Sequence, residues 1–394
     1  MLKKYFPFNF LLFYVLFYAG QSIFSGYLSL YLDSIGFTRT QIGMFMSIST
    51  LAVLLTQSFW GYVSDRYKSK KTVLLVLLAL CSVFILGFYL GTNMIFVMLA
   101  IAMFGIFFNP VPALMDSLTL ETLSNLKDKI SSKINFGHIR LGGTLGFALG
   151  VLAAGQLMRD DFARMFYMMS IMFVLVWLTL KFFISDMDDA VSDIKKKYSL
   201  KVLVQNKRMF CFIFLQMVFS LGMVTFHNFY PLHFAYIGGD SAMVGVLMFA
   251  TAISEIPFWF ISGKLINRFG YEKMMAIAVC VSGLRWLVLF LTVNPHLAIL
   301  VNMSHGFSFV TMNYGIVTYV DKSIPGEMRA TGQTMIAMLS TIFSRILGGV
   351  FVGMASDMFG IAETLLFAFV FAYVGVGIFF VMIKVGNIKN KNLT

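Results

Sequence analysis

The sequence predicts an all-α polytopic membrane protein: twelve transmembrane helices in two pseudo-symmetric six-helix bundles. Three observations predict it. Of 394 residues, 59% are apolar and only 12% charged, about half the roughly 25% charged share of a soluble domain. Apolar runs close to the roughly 20 residues that cross about 30 Å of hydrocarbon recur along the whole chain. A polar interval at 185–208 then cuts the series in the middle, and a short motif recurs on either side of it.

The spans fall at 8–31, 40–63, 72–91, 94–122, 136–158 and 162–184, then at 209–236, 242–265, 273–292, 295–319, 331–355 and 361–384. The first follows Lys3 and Lys4; it is too long for the apolar core of a signal peptide and lacks a small-residue cleavage pattern. The fifth carries Gly142, Gly143, Gly146 and Gly150, small residues that let a neighbouring helix come close. The seventh is unusually polar, with His227, Asn228, Tyr230, Pro231 and His233, in the manner of the broken helices that border transporter sites. The predicted organisation is an N-terminal bundle at 1–184, a cytoplasmic linker at 185–208 and a C-terminal bundle at 209–394. The linker runs from acidic (Asp186, Asp188, Asp189, Asp193) to basic (Lys195, Lys196, Lys197, Lys201, Lys207, Arg208) and reads as a solvated connection.

Charge sets the sidedness. All but six of the 30 Lys and Arg lie at the termini or in the loops on the same side as the termini; the exceptions are Arg39, Arg159 and Arg164 on the other side and Arg140, Arg285 and Arg345 inside spans. Basic residues in short loops stay in the cytoplasm, so both termini are predicted to be cytoplasmic in a multi-pass protein of the cell (inner) membrane. The net charge of +12 follows from that rule and from affinity for the anionic lipid of the bilayer. With no soluble basic domain, nucleic acid is not an expected partner. Cys81, Cys211 and Cys280 sit in separate spans without metal-ligand spacing. The chain carries no GxSxG elbow, HExxH pair or P-loop, so neither an enzyme nor an ATP-driven pump is expected, and no cofactor or metal.

Five charges sit away from the ends of the apolar spans: Asp116, Arg140, Glu255, Arg285 and Arg345. Each costs roughly 2.5–3.5 kcal/mol on insertion scales, so such residues face an interior polar path and are functional by default. Arg140, Thr144 and Phe147 stand at i, i+4 and i+7, which puts a charge, a hydroxyl and a ring on one helix face. A carboxyl that gains or loses an arginine partner loses or gains its proton with it. Glu255 exchanging Arg285 or Arg345 for a proton would couple two fluxes; a permanent salt bridge is the structural alternative. His305 fits either a core histidine or a protonatable cavity site. Arg345 fits packing through Glu255 or a carbonyl as well as ligand contact, and Glu121, near a span end, is expected to reach water.

The repeated motif is Gly61-Tyr-Val-Ser-Asp65-Arg66-Tyr-Lys-Ser-Lys70-Lys71 after the second span and Gly263-Lys-Leu-Ile-Asn267-Arg268-Phe-Gly-Tyr-Glu-Lys273 after the eighth. Glycine permits close helix approach, Asp or Asn bonds free backbone groups at a helix end, and the basic residues hold the cytoplasmic surface. The first copy meets in full the helix 2–3 loop pattern of the major facilitator superfamily, which the chain therefore resembles; the second has Asn267 in place of the acid. The resemblance implies alternating access around a midplane cavity and a monomer.

Helices 4 and 5 sharpen it. Pro112-Ala-Leu-Met-Asp116-Ser and Asn135-Phe-Gly-His138-Ile-Arg140-Leu-Gly-Gly-Thr144-Leu-Gly-Phe147 resemble the lactose, nucleoside and phenylpropionate proton-symporter group. That resemblance implies that Asp116, Arg140 and Phe147 bind substrate; Thr144 on the same helix face, Asn228 in the polar seventh span and His305 are the further expected substrate contacts. Glu255-Ile-Pro257, Gly283-Leu-Arg285-Trp286 and Ser304-His305-Gly306-Phe307 are similar to the phenylpropionate branch; Arg285 and His305 match an arginine and a histidine of lactose permease, and Glu255, a carboxyl in hydrocarbon surroundings, is the expected protonation site beside them. Ala252 and Ser308 stand where lactose permease has carboxylates, so its proton path does not carry over. The expected partners are protons and a small-molecule substrate. Three in-span arginines against two carboxylates leave one positive charge, which fits an anion such as an aromatic carboxylate, while sugars and nucleosides stay open because Asp116 with Arg140 can bind hydroxyls. The rival transport class, a drug/proton antiporter exporting amphiphiles, lacks support in the fifth span, where Gly142–Gly150 holds no proline. A non-transporting sensor would have no need of the intact Gly61–Lys71 motif.

Overall fold

Leu, Phe, Met, Ile and Ala dominate the apolar runs. In hydrocarbon, every backbone N–H and C=O must be satisfied within its own segment, so these runs are helical. The computed structural model describes residues 6–67, 69–125, 136–159, 161–184, 206–324 and 328–391. Its helices are α1 (Phe6–Ser34), α2 (Arg39–Tyr67), α3 (Lys70–Phe84), α4 (Met94–Phe108), α5 (Val111–Asn125), α6 (Phe136–Met158), α7 (Arg164–Phe183), α8 (Lys207–Val224), α9 (Tyr230–Tyr236), α10 (Ser241–Phe269), α11 (Tyr271–Leu291), α12 (Pro295–Asn302), α13 (His305–Ser323), α14 (Arg329–Ala337), α15 (Phe343–Phe359) and α16 (Ile361–Lys391). A 3₁₀ turn, Ile85–Tyr89, follows α3, and π-turns at Thr225–Phe229 and Met338–Ile342 join α8 to α9 and α14 to α15.

Among the described residues, ten helical stretches are long and apolar enough to cross a membrane. The other two predicted spans, 40–63 and 295–319, are occupied by α2 and by α12 with α13. The linker predicted at 185–208 lies outside the described residues up to residue 205.

The chain forms two compact units, one of residues 1–37, 45–193 and 240–249 and one of residues 38–44, 194–239 and 250–394. In the first, α1 packs along α6 and α7. The glycine row of α6 allows this: a Cβ on Gly142, Gly146 or Gly150 would meet Leu11, Val15 or Ala19 of α1. An aromatic cluster fills the interior, with Phe17 stacked on Phe108 at 5.6 Å and Phe104 on Phe108 at 4.9 Å. In the second unit, α11 packs on α13 and α16, and α8 packs on α15 and α16. Phe212 stacks on Tyr319 at 4.1 Å, and Trp286 is fully enclosed.

Within the second unit, Asp357 of α15 caps the start of α2: its carboxylate accepts from the Arg39 N–H at 3.0 Å and the Thr40 N–H at 2.8 Å. An acid at a helix N-terminus satisfies free N–H groups and complements the dipole. Phe and Met both fill the interior and coat the outside: Phe173 and Met169 are buried, while Phe182 and Phe260 face outward. The three cysteines are free thiols, with Cys81 and Cys211 buried.

Candidate functional site

Two polar centres hold four of the five in-span charges, all but Arg345. In the first unit, Asp116 on α5 and Arg140 on α6 come together, the guanidinium Nε 3.8 Å from the carboxylate. Two tyrosines one turn apart on α1 complete the centre. The Tyr14 hydroxyl donates to Asp116 at 2.6 Å and lies 3.3 Å from the Thr119 hydroxyl, while the Arg140 guanidinium lies 4.4 Å from the centre of the Tyr18 ring and 5.7 Å from that of Tyr14. Gly143 makes room, because a Cβ there would press on both the guanidinium and the Tyr18 ring. Arg140 is thus held by a carboxylate and by aromatic faces, and the side chains of Asp116 and Arg140 are each 37% exposed. The ion pair is open to a ligand.

Thr144 and Phe147 continue along α6, both half-buried. The ring that meets Arg140 is that of Tyr18, with Tyr14 beyond it. Neither tyrosine carries a charge to single it out in the sequence, although Tyr14 and Tyr18 at i, i+4 in one span carry a legible signal: two hydroxyls on one helix face in hydrocarbon need polar partners.

The second unit builds its centre where helices are interrupted. The α12–α13 break at Met303–Ser304 starts α13 against α10. Gly306 lets it approach, since a Cβ there would overlap the Ser254 backbone, and its N–H donates to the Ser254 hydroxyl at 3.0 Å. His305 is thereby set beside Glu255, with Nε2 3.7 Å from the carboxylate. Pro257, two residues on, cannot donate to the carbonyl four residues back and weakens the helix there.

Arg285 on α11 is 2% exposed. It donates to the Asn302 amide oxygen at 3.4 Å, and the Asn302 amide N–H donates in turn to the Thr251 hydroxyl. Its guanidinium lies 4.9 Å from the centre of the Phe226 ring and 5.9 Å from that of Trp286. The expectation was Glu255 beside Arg285 or Arg345. The structure instead brings Glu255 to His305 and Arg285 to Asn302, because Phe226 and Trp286 cover the guanidinium and the α13 start occupies the face next to Glu255. Asn302 and Thr251 escaped the sequence reading because neither carries a charge.

His227 sits in the π-turn with its ring centre 6.0 Å from that of His305; such turns are frequent at functional sites. Asn228 lies half-buried next to it. Four buried polar atoms around this centre have no partner among the described residues: Arg285 Nε, His305 Nδ1, Trp286 Nε1 and the Tyr230 hydroxyl. Buried polar atoms are nearly always satisfied by protein or ordered water, so these mark a place for water or a ligand.

The conformational motif is partly resolved into contacts. Lys70 pairs with Glu121 at 2.7 Å, so Glu121 is engaged by protein rather than by water as expected. Lys71 donates to the Lys181 carbonyl at 3.4 Å, and Arg66 occupies the last turn of α2; the Asp65 side chain lies outside the described ones. Gly61 was expected to sit in a close helix contact, yet a Cβ there would meet open space, whereas one on Gly263 would meet the Tyr314 hydroxyl at 2.9 Å. Asn267 and Arg268 are exposed at the end of α10, with Arg268 lying 5.2 Å from the centre of the Phe269 ring.

Membrane-spanning helices that carry charged side chains away from their ends in both units fit a solute transporter of the major facilitator type. The chain belongs to the MFS_1 like family, whose pattern matches residues 8–367. It is 24% identical over 379 residues to a protein described as "Probable 3-phenylpropionic acid transporter" from Escherichia coli (strain K12), covering 94% of this chain and 92% of that one. It is 28% identical over 289 residues to the maltose permease of Geobacillus stearothermophilus, covering 72% and 70%. The crystal structure of nucleoside transporter NupG superposes with a TM-score of 0.86 at 18% identity, covering 96% of this chain and 99% of that one.

Proposed function

We propose that the chain is a proton-coupled importer of a small organic solute, an aromatic carboxylate, a sugar or a nucleoside, working by alternating access as a monomer in the cell (inner) membrane with both termini cytoplasmic. The division into bundles at 1–184 and 209–394, joined by a cytoplasmic linker, belongs to the same reading. The observation that carries it is the Glu255–His305 contact at 3.7 Å: two protonatable side chains face each other inside apolar helices, beside an arginine held by Asn302. Such a pair can keep or release a proton according to what else occupies the surrounding polar atoms.

Asp116 and Arg140 bind the solute in this reading. Their side chains are half-open and of a kind that can bind a solute through paired hydrogen bonds, with Tyr18 and Tyr14 offering ring faces and Thr144 and Phe147 lining the same helix. Asn228 and His305 are further solute contacts in this reading, and Arg285 holds the geometry around Glu255. The Gly61–Lys71 and Gly263–Arg268 motifs act as the hinges between α2 and α3 and between α10 and α11. The relatives' names support a small organic solute as cargo and leave the choice among the three classes to chemistry.

The test is proton movement in proteoliposomes holding the purified chain, screened with aromatic acids, sugars, nucleosides and cationic dyes. External alkalinisation on adding one inward-moving solute class, absent in Glu255→Gln, is the expected result. Proton release driven by dyes would replace the reading with a drug/proton antiporter.

A further inference from the structure

We propose that Arg345 is the group that takes the carboxylate of the transported solute, and that the solute is an organic monocarboxylate. The inference rests on the transport reading above and narrows its substrate class.

The three in-span arginines differ in what already holds them. Arg140 is paired with Asp116 and covered by Tyr18. Arg285 is enclosed, donating to Asn302 and sandwiched between Phe226 and Trp286. Arg345 takes no ion-pair or hydrogen-bond partner among the described residues, and its side chain is exposed. A cation without an anion in the middle of an apolar helix is costly, so a protein that keeps one there has a use for an anion.

Its surroundings point inward rather than to lipid. Ser344, the preceding residue, donates to the Met217 carbonyl of α8 at 3.3 Å, and Gly348 faces Leu221 and Val224 of the same helix. Arg345 and Arg285 both lie within electrostatic reach of His227, whose side chain is likewise exposed. Both helices that present these groups carry a π-turn close by, Thr225–Phe229 holding His227 and Met338–Ile342 one turn before Arg345.

The charge balance sets the ligand's valence. The second unit holds two in-span arginines, Arg285 and Arg345, and one in-span carboxylate, Glu255, so one negative charge is missing, which a monocarboxylate supplies and a neutral sugar or nucleoside does not. A guanidinium binds a carboxylate through two parallel hydrogen bonds, a geometry that an ammonium cannot reproduce.

The experiment is uptake of radiolabelled 3-phenylpropionate, benzoate, maltose and uridine into proteoliposomes of the full chain, repeated with Arg345→Gln and Arg345→Lys, each checked by thermal melting. The expected result is saturable uptake of at least one acid, without competition from its uncharged amide. Arg345→Gln should raise KM at least about tenfold, the loss of roughly one charged hydrogen bond, and Arg345→Lys should recover part of it. If Arg345→Gln melts below wild type, the Lys variant decides, and a KM equal to wild type in it would overturn the bidentate contact. Uptake of maltose or uridine without either acid would leave transport standing and overturn the carboxylate. So would acid uptake with unchanged KM in Arg345→Gln. Movement of none of the four would overturn the transport reading and this one together.

Discussion

The Asp116–Arg140 centre is open and the Arg285–Asn302 centre is sealed. In the first, both ionic side chains are 37% exposed and the cation rests on tyrosine faces. In the second, Arg285 and His305 are each 2% exposed and Asn302 is fully buried. A half-open pair loses little when one partner is removed, because water replaces it, whereas a sealed one leaves polar atoms stranded. The open centre is therefore suited to meeting a solute, and the sealed one to holding geometry around a proton site.

Substitutions should separate the two. The largest effect is expected for Arg285→Ala, which strands Asn302 and empties the space between Phe226 and Trp286: a loss of about 3 kcal/mol or more, read as a lower melting temperature in detergent. Gly306→Ala comes next. Its methyl meets the Ser254 backbone and pushes His305 from Glu255, so gradient-driven uptake should fall while a modest melting shift, about 1–3 kcal/mol, accompanies it. Asp116→Asn should abolish solute uptake yet cost no more than about 1 kcal/mol of stability; a melting loss as large as that of Arg285→Ala would erase the contrast. The smallest effect is expected at Tyr18. Tyr18→Phe should keep affinity, and Tyr18→Leu should weaken it by about 0.5–2 kcal/mol, the worth of a ring face under a guanidinium.

The helices were legible because hydrocarbon leaves an apolar run no other backbone state. Asp116 with Arg140 was legible because charges in such runs must find partners. The breaks were less so. Polar residues flagged the interruption around His227, but nothing in Met338–Ile342 marks a π-turn, and the α12–α13 break depends on how closely Gly306 meets Ser254. Tyr14, Tyr18, Asn302 and Thr251 are uncharged, so their roles emerge only where a charge needs a hydroxyl, an amide or a ring. Asp357 falls between the predicted spans 331–355 and 361–384, and only the fold brings the start of α2 to its carboxylate.

The most direct test of a division between solute contact and proton coupling uses one pair of variants and two assays. Glu255→Gln should retain solute exchange at equal concentrations, which needs no net proton movement, and lose accumulation driven by a proton gradient. Arg140→Ala should lose both. Full accumulation by Glu255→Gln, or intact exchange by Arg140→Ala, would contradict the account.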